Sequence, residues 1–122
     1  MRTFFKNLNG RAFEAIKINQ KRIEIRASES DFSENSVNLM QQGDIIIFKK
    51  SGNDERIKCV IKRKILYKTV RDLLENEGTK YTLSSTNNLE EGVKSVESID
   101  NYKELIAKNG VFAIELKDVK TM

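Results

Sequence analysis

Apolar positions recur at helical spacing after Asn9. Ala12 and Phe13 precede Ile16 by four and three residues, so the three side chains share one face of a helix. Asn9 is a favoured N-terminal cap, and Asn19 tolerates the left-handed conformation that often ends a helix. The pattern predicts a short helix that packs against the core.

A strict alternation of apolar and charged residues follows this helix. Ile23 and Ile25 fall on one side of an extended segment, and the charged residues of 22–26 fall on the other. The segment is predicted to be a half-buried strand with a charged outer face. The polar residues 27–38, rich in Ser, Glu and Asp, predict a loop with room for one helical turn.

Two further strand patterns form a hairpin. Gly43 and Asp44 predict a tight turn into the β-branched run 45–48, and a turn at 51–54 leads into a long alternating strand, Arg56–Tyr67. We expect the two strands to pair in antiparallel fashion. The alternation assigns Ile57, Cys59, Ile61, Ile65 and Tyr67 to one side of the long strand, and Lys58, Val60, Lys62, Lys64 and Leu66 to the other.

Three helices are predicted in the second half of the chain. Thr69 can cap a helix that carries Leu73 and Leu74. A weaker helical pattern covers 89–96, and Asp100 can cap a firmer helix that ends at Lys108. These helices alternate with strands that are not sequential neighbours.

A closing strand, 111–116, follows the stop signal Asn109-Gly110. The 122 residues match the usual size of one domain. We therefore predict a single domain over 1–122, of the α+β class, with a small, mostly antiparallel β-barrel and peripheral helices.

The absence of histidine excludes several kinds of chemistry. With 0 His and 1 Cys, the chain has no Ser-His-Asp or Cys-His nucleophile system, and no imidazole or thiolate metal site is expected. Cys59 is interpreted as a small core residue in a reducing compartment. No apolar run is long enough for a membrane span. We expect a cytoplasmic protein, with a monomer favoured, and no metal, cofactor or membrane partner.

Positive charge is concentrated in the first part of the chain. Residues 1–71 carry 16 Lys and Arg against 8 Asp and Glu, whereas residues 72–122 carry 6 against 10. The densest basic tract starts at Arg56 on the long strand. It either follows a phosphate backbone or protects an edge strand from aggregation. The candidate contacts to an RNA backbone are Lys58, Lys62, Arg63, Lys64 and Lys68.

The order of the segments resembles the ASCH domain, a family of PUA-like barrels. The family pattern is a helix that ends in Gly-x-Lys-x-x-Glu-x-Arg, a Gly-Asp turn into an apolar strand, a helix with paired leucines, and a closing Gly-Val-x-Ala-Ile-x-Leu strand. The resemblance covers nearly the whole chain, and Asn19 stands at the first family glycine. The matching residues are Lys21, Glu24, Arg26, Gly43, Asp44, Leu73, Leu74, Gly110, Val111, Ala113, Ile114 and Leu116.

The resemblance implies a PUA-like barrel with a cleft lined by the charged face of the strand at 22–26. PUA-like barrels commonly bind RNA, and some small ASCH proteins are amidohydrolases that deacetylate acetylcytidine with a Lys, a Thr and a Glu. Lys21 matches the lysine, whereas Glu24 occupies the position of the threonine. Glu75 and Glu77 are the nearest candidates for the second acidic residue.

Three functions follow from these residues. The leading hypothesis is an RNA-, nucleoside- or nucleotide-binding module whose ligand contacts Lys21, Glu24 and Arg26. The alternative is a small amidohydrolase, with Glu24 as general base and Lys21 stabilising the oxyanion. The third is a protein-interaction module with a vestigial cleft. A solvated ion pair is the non-functional interpretation of Glu24 and Arg26.

For several other side chains the sequence allows two interpretations. Ser28 or Ser30 either supplies a hydroxyl near Lys21 or caps the loop. Tyr67 either stacks on a base or lies at the core edge, and Arg63 either reaches the barrel mouth or extends to solvent. The carboxylates of Glu75, Glu77, Glu90 and Glu91 serve in acid-base chemistry only if the fold brings one of them beside Lys21.

Overall fold

The computed structural model describes residues 1–29 and 32–122. It contains five strands, four α-helices and one short 3₁₀ turn over these residues. In chain order, the elements are β1 (Thr3–Leu8), α1 (Gly10–Lys17), β2 (Ile23–Ala27), the 3₁₀ turn (Val37–Leu39), β3 (Ile45–Lys50), β4 (Arg56–Tyr67), α2 (Val70–Glu77), α3 (Leu89–Glu97), α4 (Tyr102–Asn109) and β5 (Val111–Thr121).

The five strands form one curled sheet, a half-barrel with the order β1-β3-β4-β5-β2. β1 and β3 are parallel, and every other neighbouring pair is antiparallel. The prediction of an α+β fold with a small, mostly antiparallel barrel is therefore confirmed, as is the hairpin of β3 and β4. The half-barrel leaves β1 and β2 as its two edge strands.

Two apolar clusters hold the helices to the sheet. α1 packs Phe13 and Ile16 into the concave side of the sheet, against residues such as Phe48 and Ile114. The helices α2, α3 and α4 cover part of the convex side, where Leu73 and Leu74 of α2 contribute to the second cluster. The sheet is thus covered on both sides near β2 and the first half of β5.

Most helices begin at the residues that the sequence predicts. Asn9 Oδ1 accepts from the backbone N–H of Ala12 at 2.9 Å, and Asn19 has a positive φ of 66°. Thr69 Oγ1 accepts from the N–H of Asp72 at 3.0 Å. The prediction that Asp100 caps α4 is wrong by one residue, because Asn101 is the cap and makes no capping side-chain hydrogen bond.

The strands differ from the sequence pattern in three ways. β1 was not predicted, and β5 extends beyond residue 116 to Thr121. In β4, an extra residue at Lys62 shifts the register between Ile61 and Arg63, so the alternation reverses there. Lys64 therefore shares the concave side with Ile61, whereas Arg63 and Tyr67 face α2.

Candidate ligand-binding cleft

A cleft of about 430 Å³ lies where the two edge strands of the half-barrel approach each other. Its walls come from the end of β1 and the start of α1, from β2, from the loop residues 82–85, and from the α3–α4 region. This volume lies in the usual range for small-molecule sites. The predicted site residues Lys21, Glu24 and Arg26 all line it.

Glu24 is buried because of its position in the sheet. It pairs with Ile114 of β5 and therefore projects into the concave interior, where only 5% of the residue is exposed. Its neighbours Ile23 and Ile25 project to the convex side, against the helices. The expectation of a half-buried strand with a charged outer face is thus wrong for Glu24, since both faces of β2 are covered.

The Glu24 carboxylate has a cation at each oxygen. Arg26 Nε donates to Glu24 Oε2 at 2.9 Å, and Lys21 Nζ lies 3.5 Å from Oε1. The side chains of Lys21 and Glu24 are 6% and 7% exposed, so these ion pairs are poorly screened by solvent. They hold the carboxylate in a fixed orientation at the bottom of the cleft.

Lys21 also joins β2 to the loop that follows α2. Its Nζ donates to the backbone oxygens of Ile23 at 2.7 Å and of Thr82 at 2.6 Å. Burial lowers the pKa of Lys21, and the charge of Glu24 opposes that shift. Two carbonyls and one carboxylate are matched by the three N–H groups of a protonated ammonium. Lys21 therefore acts as a fixed cation with every donor in use.

Tyr102 and several hydroxyl groups complete the cleft. Burial raises the pKa of the Tyr102 phenol, and the nearby Arg26 guanidinium acts in the opposite direction. Ser84, Ser95 and Ser98 also line the cleft. No sequence spacing pointed to these residues, because they lie on a loop and on helices far along the chain from β2.

Within the described part of the chain, Glu24 is the carboxylate that lines the cleft. Glu77 binds Arg63, Glu90 binds Arg71, and Glu91 accepts from Thr86. None of the candidates for a second acidic site residue, Glu75 included, therefore lines the cleft.

Of the two roles left open for Ser28, a hydroxyl near Lys21 is not the one that the structure shows. Ser28 Oγ donates to Asn38 Oδ1 at 3.0 Å, and Ser28 does not line the cleft. Ser30 lies outside the described residues. Thr82 lines the cleft instead, and its hydroxyl donates to the backbone oxygen of Gly78 at 2.6 Å.

Arg63 and Tyr67 form a polar cluster on the far side of the sheet. Arg63 Nη1 donates to Glu77 Oε2 at 2.9 Å and its Nε to Glu115 Oε1 at 2.5 Å, while the Tyr67 hydroxyl donates to Glu77 at 2.5 Å. The cluster links α2 to β4 and β5. In this conformation, Arg63 is committed to carboxylates and Tyr67 lies at the core edge.

The remaining residues of the basic tract differ in how accessible their side chains are to a phosphate. Lys58 and Lys68 are exposed, and Lys62 lies 3.5 Å from Glu115 at the surface. Lys64 Nζ donates to the backbone oxygens of Val37 and Met40 at 2.8 and 2.7 Å. The phosphate contacts proposed for this tract therefore depend on Lys58, Lys62 and Lys68.

Residues 1–29 and 32–122 contain neither a metal-binding cluster nor a membrane-spanning helix. No cluster of three or more His, Cys, Asp or Glu side chains with metal-binding geometry occurs there. None of the helices in these ranges is both long enough and apolar enough to cross a bilayer.

Comparison with known proteins identifies structural relatives. No profile of a known protein family matches the sequence, and no curated protein sequence does. The crystal structure of hypothetical protein PH0355 superposes with a TM-score of 0.76 and 31% identity, covering 96% of this chain and 98% of that protein. The solution structure of PF0455 from Pyrococcus furiosus gives a TM-score of 0.70 and 27% identity, over 94% and 96% of the two chains.

The resemblance to ASCH domains is confirmed at the level of the fold. The crystal structure of ASCH from Zymomonas mobilis superposes with a TM-score of 0.65 over 98% of this chain and 69% of that one, at 15% identity. The match to PH0355 shows the family of the chain, and the match to the Zymomonas mobilis protein shows its fold. The chain belongs to the same protein family as PH0355, and its fold is that of an ASCH domain.

Proposed function

We propose that the protein binds RNA, or a nucleoside or nucleotide derived from it, by holding a base in the cleft. The observation that carries this proposal is the buried Glu24 carboxylate, fixed at the bottom of the cleft by Lys21 and Arg26. A carboxylate has about four acceptor positions, and these two cations use about one on each oxygen. One position on each oxygen is left for a ligand.

The acceptor geometry favours a base with two adjacent N–H donors. Guanine presents such a pair, the ring imide N–H and the exocyclic amine, on one edge. Hydrogen bonds to a charged acceptor contribute about 1.5–3 kcal/mol each, so a missing donor costs affinity. Tyr102 offers a ring face for stacking, and the serines of the cleft offer hydroxyl groups for a ribose.

An amide chemical-shift titration with guanosine, inosine, cytidine and a short single-stranded RNA tests the proposal. Inosine is the matched control because it lacks only the exocyclic amine of guanine. We expect shifts at Glu24, Arg26 and Tyr102 with guanosine, and about tenfold weaker binding of inosine. If no nucleoside or RNA shifts the cleft residues, the cleft is vestigial and the protein-interaction hypothesis takes precedence.

The second candidate function is hydrolysis of an acetylated nucleoside such as acetylcytidine. The contact between Lys21 and Glu24 in the cleft favours it, since a general base and a cation then lie side by side. The contacts of Lys21 argue against it, because two of its N–H groups donate to carbonyl oxygens and the third faces Glu24, so none is left for a developing oxyanion. Release of acetate from acetylcytidine distinguishes the two functions.

A further inference from the structure

Part of the convex side of the sheet carries basic side chains in a regular arrangement. Helices α2–α4 pack near β2 and the first half of β5, whereas the area formed by β1, β3, the first half of β4 and the end of β5 is exposed. We call this area the basic sheet face. It comprises Phe5, Ile47, Lys49, Arg56, Lys58, Val60, Lys117 and Lys120.

Like charges lie directly opposite each other on this face. Lys58 of β4 pairs in register with Lys120 of β5, and Arg56 of β4 pairs with Lys49 of β3. Among the described residues, none of these four cations, nor Lys117, forms a salt bridge. Like charges opposite each other on neighbouring strands destabilise a sheet. A polyanionic ligand relieves that repulsion.

An exposed aromatic ring lies beside these charges. Phe5 pairs in register with Ile47 and is 54% exposed, although most large apolar side chains of this size are buried. Phe5, Ile47, Lys49 and Arg56 line a groove of about 220 Å³. An aromatic platform next to a line of cations is the arrangement by which proteins bind single-stranded nucleic acid, because an unpaired base stacks while its phosphates meet the cations.

We propose that the basic sheet face binds a single-stranded nucleic acid. One base stacks on Phe5 at the edge of the sheet. The phosphates that follow it cross the face and pair with Lys58 and Lys120, which share the cross-strand row of Phe5, and with Lys49 and Arg56 in the next row. Base-paired strands do not offer an unstacked base, so the face selects single strands. Asn7 lines both this groove and the cleft, so the two sites are adjacent, but binding at the sheet face does not require the cleft.

Fluorescence anisotropy with a labelled 12-nucleotide oligouridylate, measured over a series of salt concentrations, tests the charge contribution. In Lys58→Gln/Lys120→Gln, two phosphate contacts are lost, so the slope of log K against log salt becomes shallower by about 1.4. The matched control is Lys103→Gln/Lys108→Gln, which removes the same charge from exposed positions of α4. Urea denaturation is expected to show the first variant at least as stable as the native protein, because its like-charge pair is gone.

The variant Phe5→Leu tests stacking, since it keeps an apolar side chain and removes the ring. We expect about tenfold weaker binding of the oligonucleotide at constant salt slope. Unchanged affinity in both the lysine variant and Phe5→Leu overturns the proposal, as does an equal loss in the α4 control. A second result also overturns the proposal: polyglutamate displaces the oligonucleotide, and Phe5→Leu binds the oligonucleotide normally. In that case the basic sheet face binds acidic proteins.

The variant Glu24→Gln tests the cleft separately. Its amide spectrum is first compared with that of the native protein to confirm that the variant is folded, and its binding of oligouridylate is then measured. Oligouridylate binding that persists in this variant supports the sheet face as an independent site. If Glu24→Gln abolishes oligouridylate binding while Lys58→Gln/Lys120→Gln binds normally, the sheet-face proposal fails and the proposed function of the cleft stands. Loss of guanosine binding alone, in the same variant, leaves the sheet-face proposal intact.

Discussion

Arg26 donates a hydrogen bond of 2.9 Å from Nη2 to the backbone oxygen of Asn7, and so connects the two edge strands of the half-barrel. The same guanidinium donates from Nε to Glu24. One planar side chain thus bridges the opening between β1 and β2 and orients the carboxylate of the cleft. An ammonium group has no equivalent fork of donors.

Arg26→Lys is therefore expected to destabilise the protein although it conserves the charge. The free energy of unfolding should fall by about 2 kcal/mol, because one charged hydrogen bond is lost and Glu24 is left with a less well placed partner. Urea denaturation measures this change. Arg11→Lys, at an exposed position of α1, should change the stability by less than about 0.5 kcal/mol. Equal stability of both variants would contradict the bridging role.

Glu24→Gln is expected to affect ligand binding more clearly than hydrolysis. The neutral amide removes the anionic acceptor, so guanosine should bind about tenfold or more weakly. A carboxylate also cannot provide a hydroxyl nucleophile, so the native protein should show at most weak acetate release from acetylcytidine. Isothermal titration and an acetate assay measure the two effects. Robust acetate release that disappears in Glu24→Gln, with nucleoside affinity intact, would reverse this order and favour the enzyme.

Glu77 should make the free energy of unfolding depend on pH in the acidic range. The hydrogen bond from Arg63 lowers the pKa of the Glu77 carboxyl, and the bond from Tyr67 acts in the same direction. Because the folded-state pKa lies below the unfolded value of about 4.3, the stabilisation is complete above that value and is lost as the pH falls through the folded-state pKa. Glu77→Gln should cost about 2 kcal/mol at pH 7 and much less at pH 2.

The control for this prediction is Glu75→Gln, two residues earlier in α2 and exposed. Urea denaturation at pH 7 and pH 2 should give the same stability difference, close to zero, for that variant. A loss in Glu77→Gln that is equally large at both pH values would mean that the carboxylate charge is not the source of the stabilisation.

Cys59 should be chemically inert in the native protein. The residue is fully buried, and burial raises the pKa of its thiol to about 12, with the charge of Glu24 adding to the shift. Since the thiolate is the reactive form, a thiol reagent such as DTNB should react only after unfolding. The reaction rate should follow the urea transition. Rapid labelling without denaturant would contradict the core position.

The local elements were largely predictable because their signals lie within a few residues. The cap at Asn9, the turn at Asn19 and the hairpin of β3 and β4 depend on nearby spacing and on backbone preferences. β1 was missed because its partner β3 begins at Ile45, and parallel pairing over such a distance leaves no local pattern. The reversal at Lys62 was missed for a related reason, since a bulge depends on the partner strand.

The sequence singled out three residues that line the cleft, but it did not predict what surrounds them. Alternation placed Glu24 and Arg26 on one face, and the family resemblance supplied Lys21, but the same alternation assigned that face to solvent. The curl of the sheet turns the face inward, and the backbone oxygens of Asn7 and Thr82 become partners of Arg26 and Lys21. Such contacts depend on carbonyl groups, which every residue has, so no residue type reveals them.

Because β5 lies between β4 and β2, the sheet can be completed only late in the synthesis of the chain. β2 is synthesised early, yet β5, its hydrogen-bonding partner in the sheet, is the last element of the sequence. Until residues 111–121 have left the ribosome, β2 is an unpaired segment and Glu24 has no fixed place. Nucleation is expected at the β3–β4 hairpin, whose contacts are local, and the cleft becomes able to bind only after the final long-range pairing.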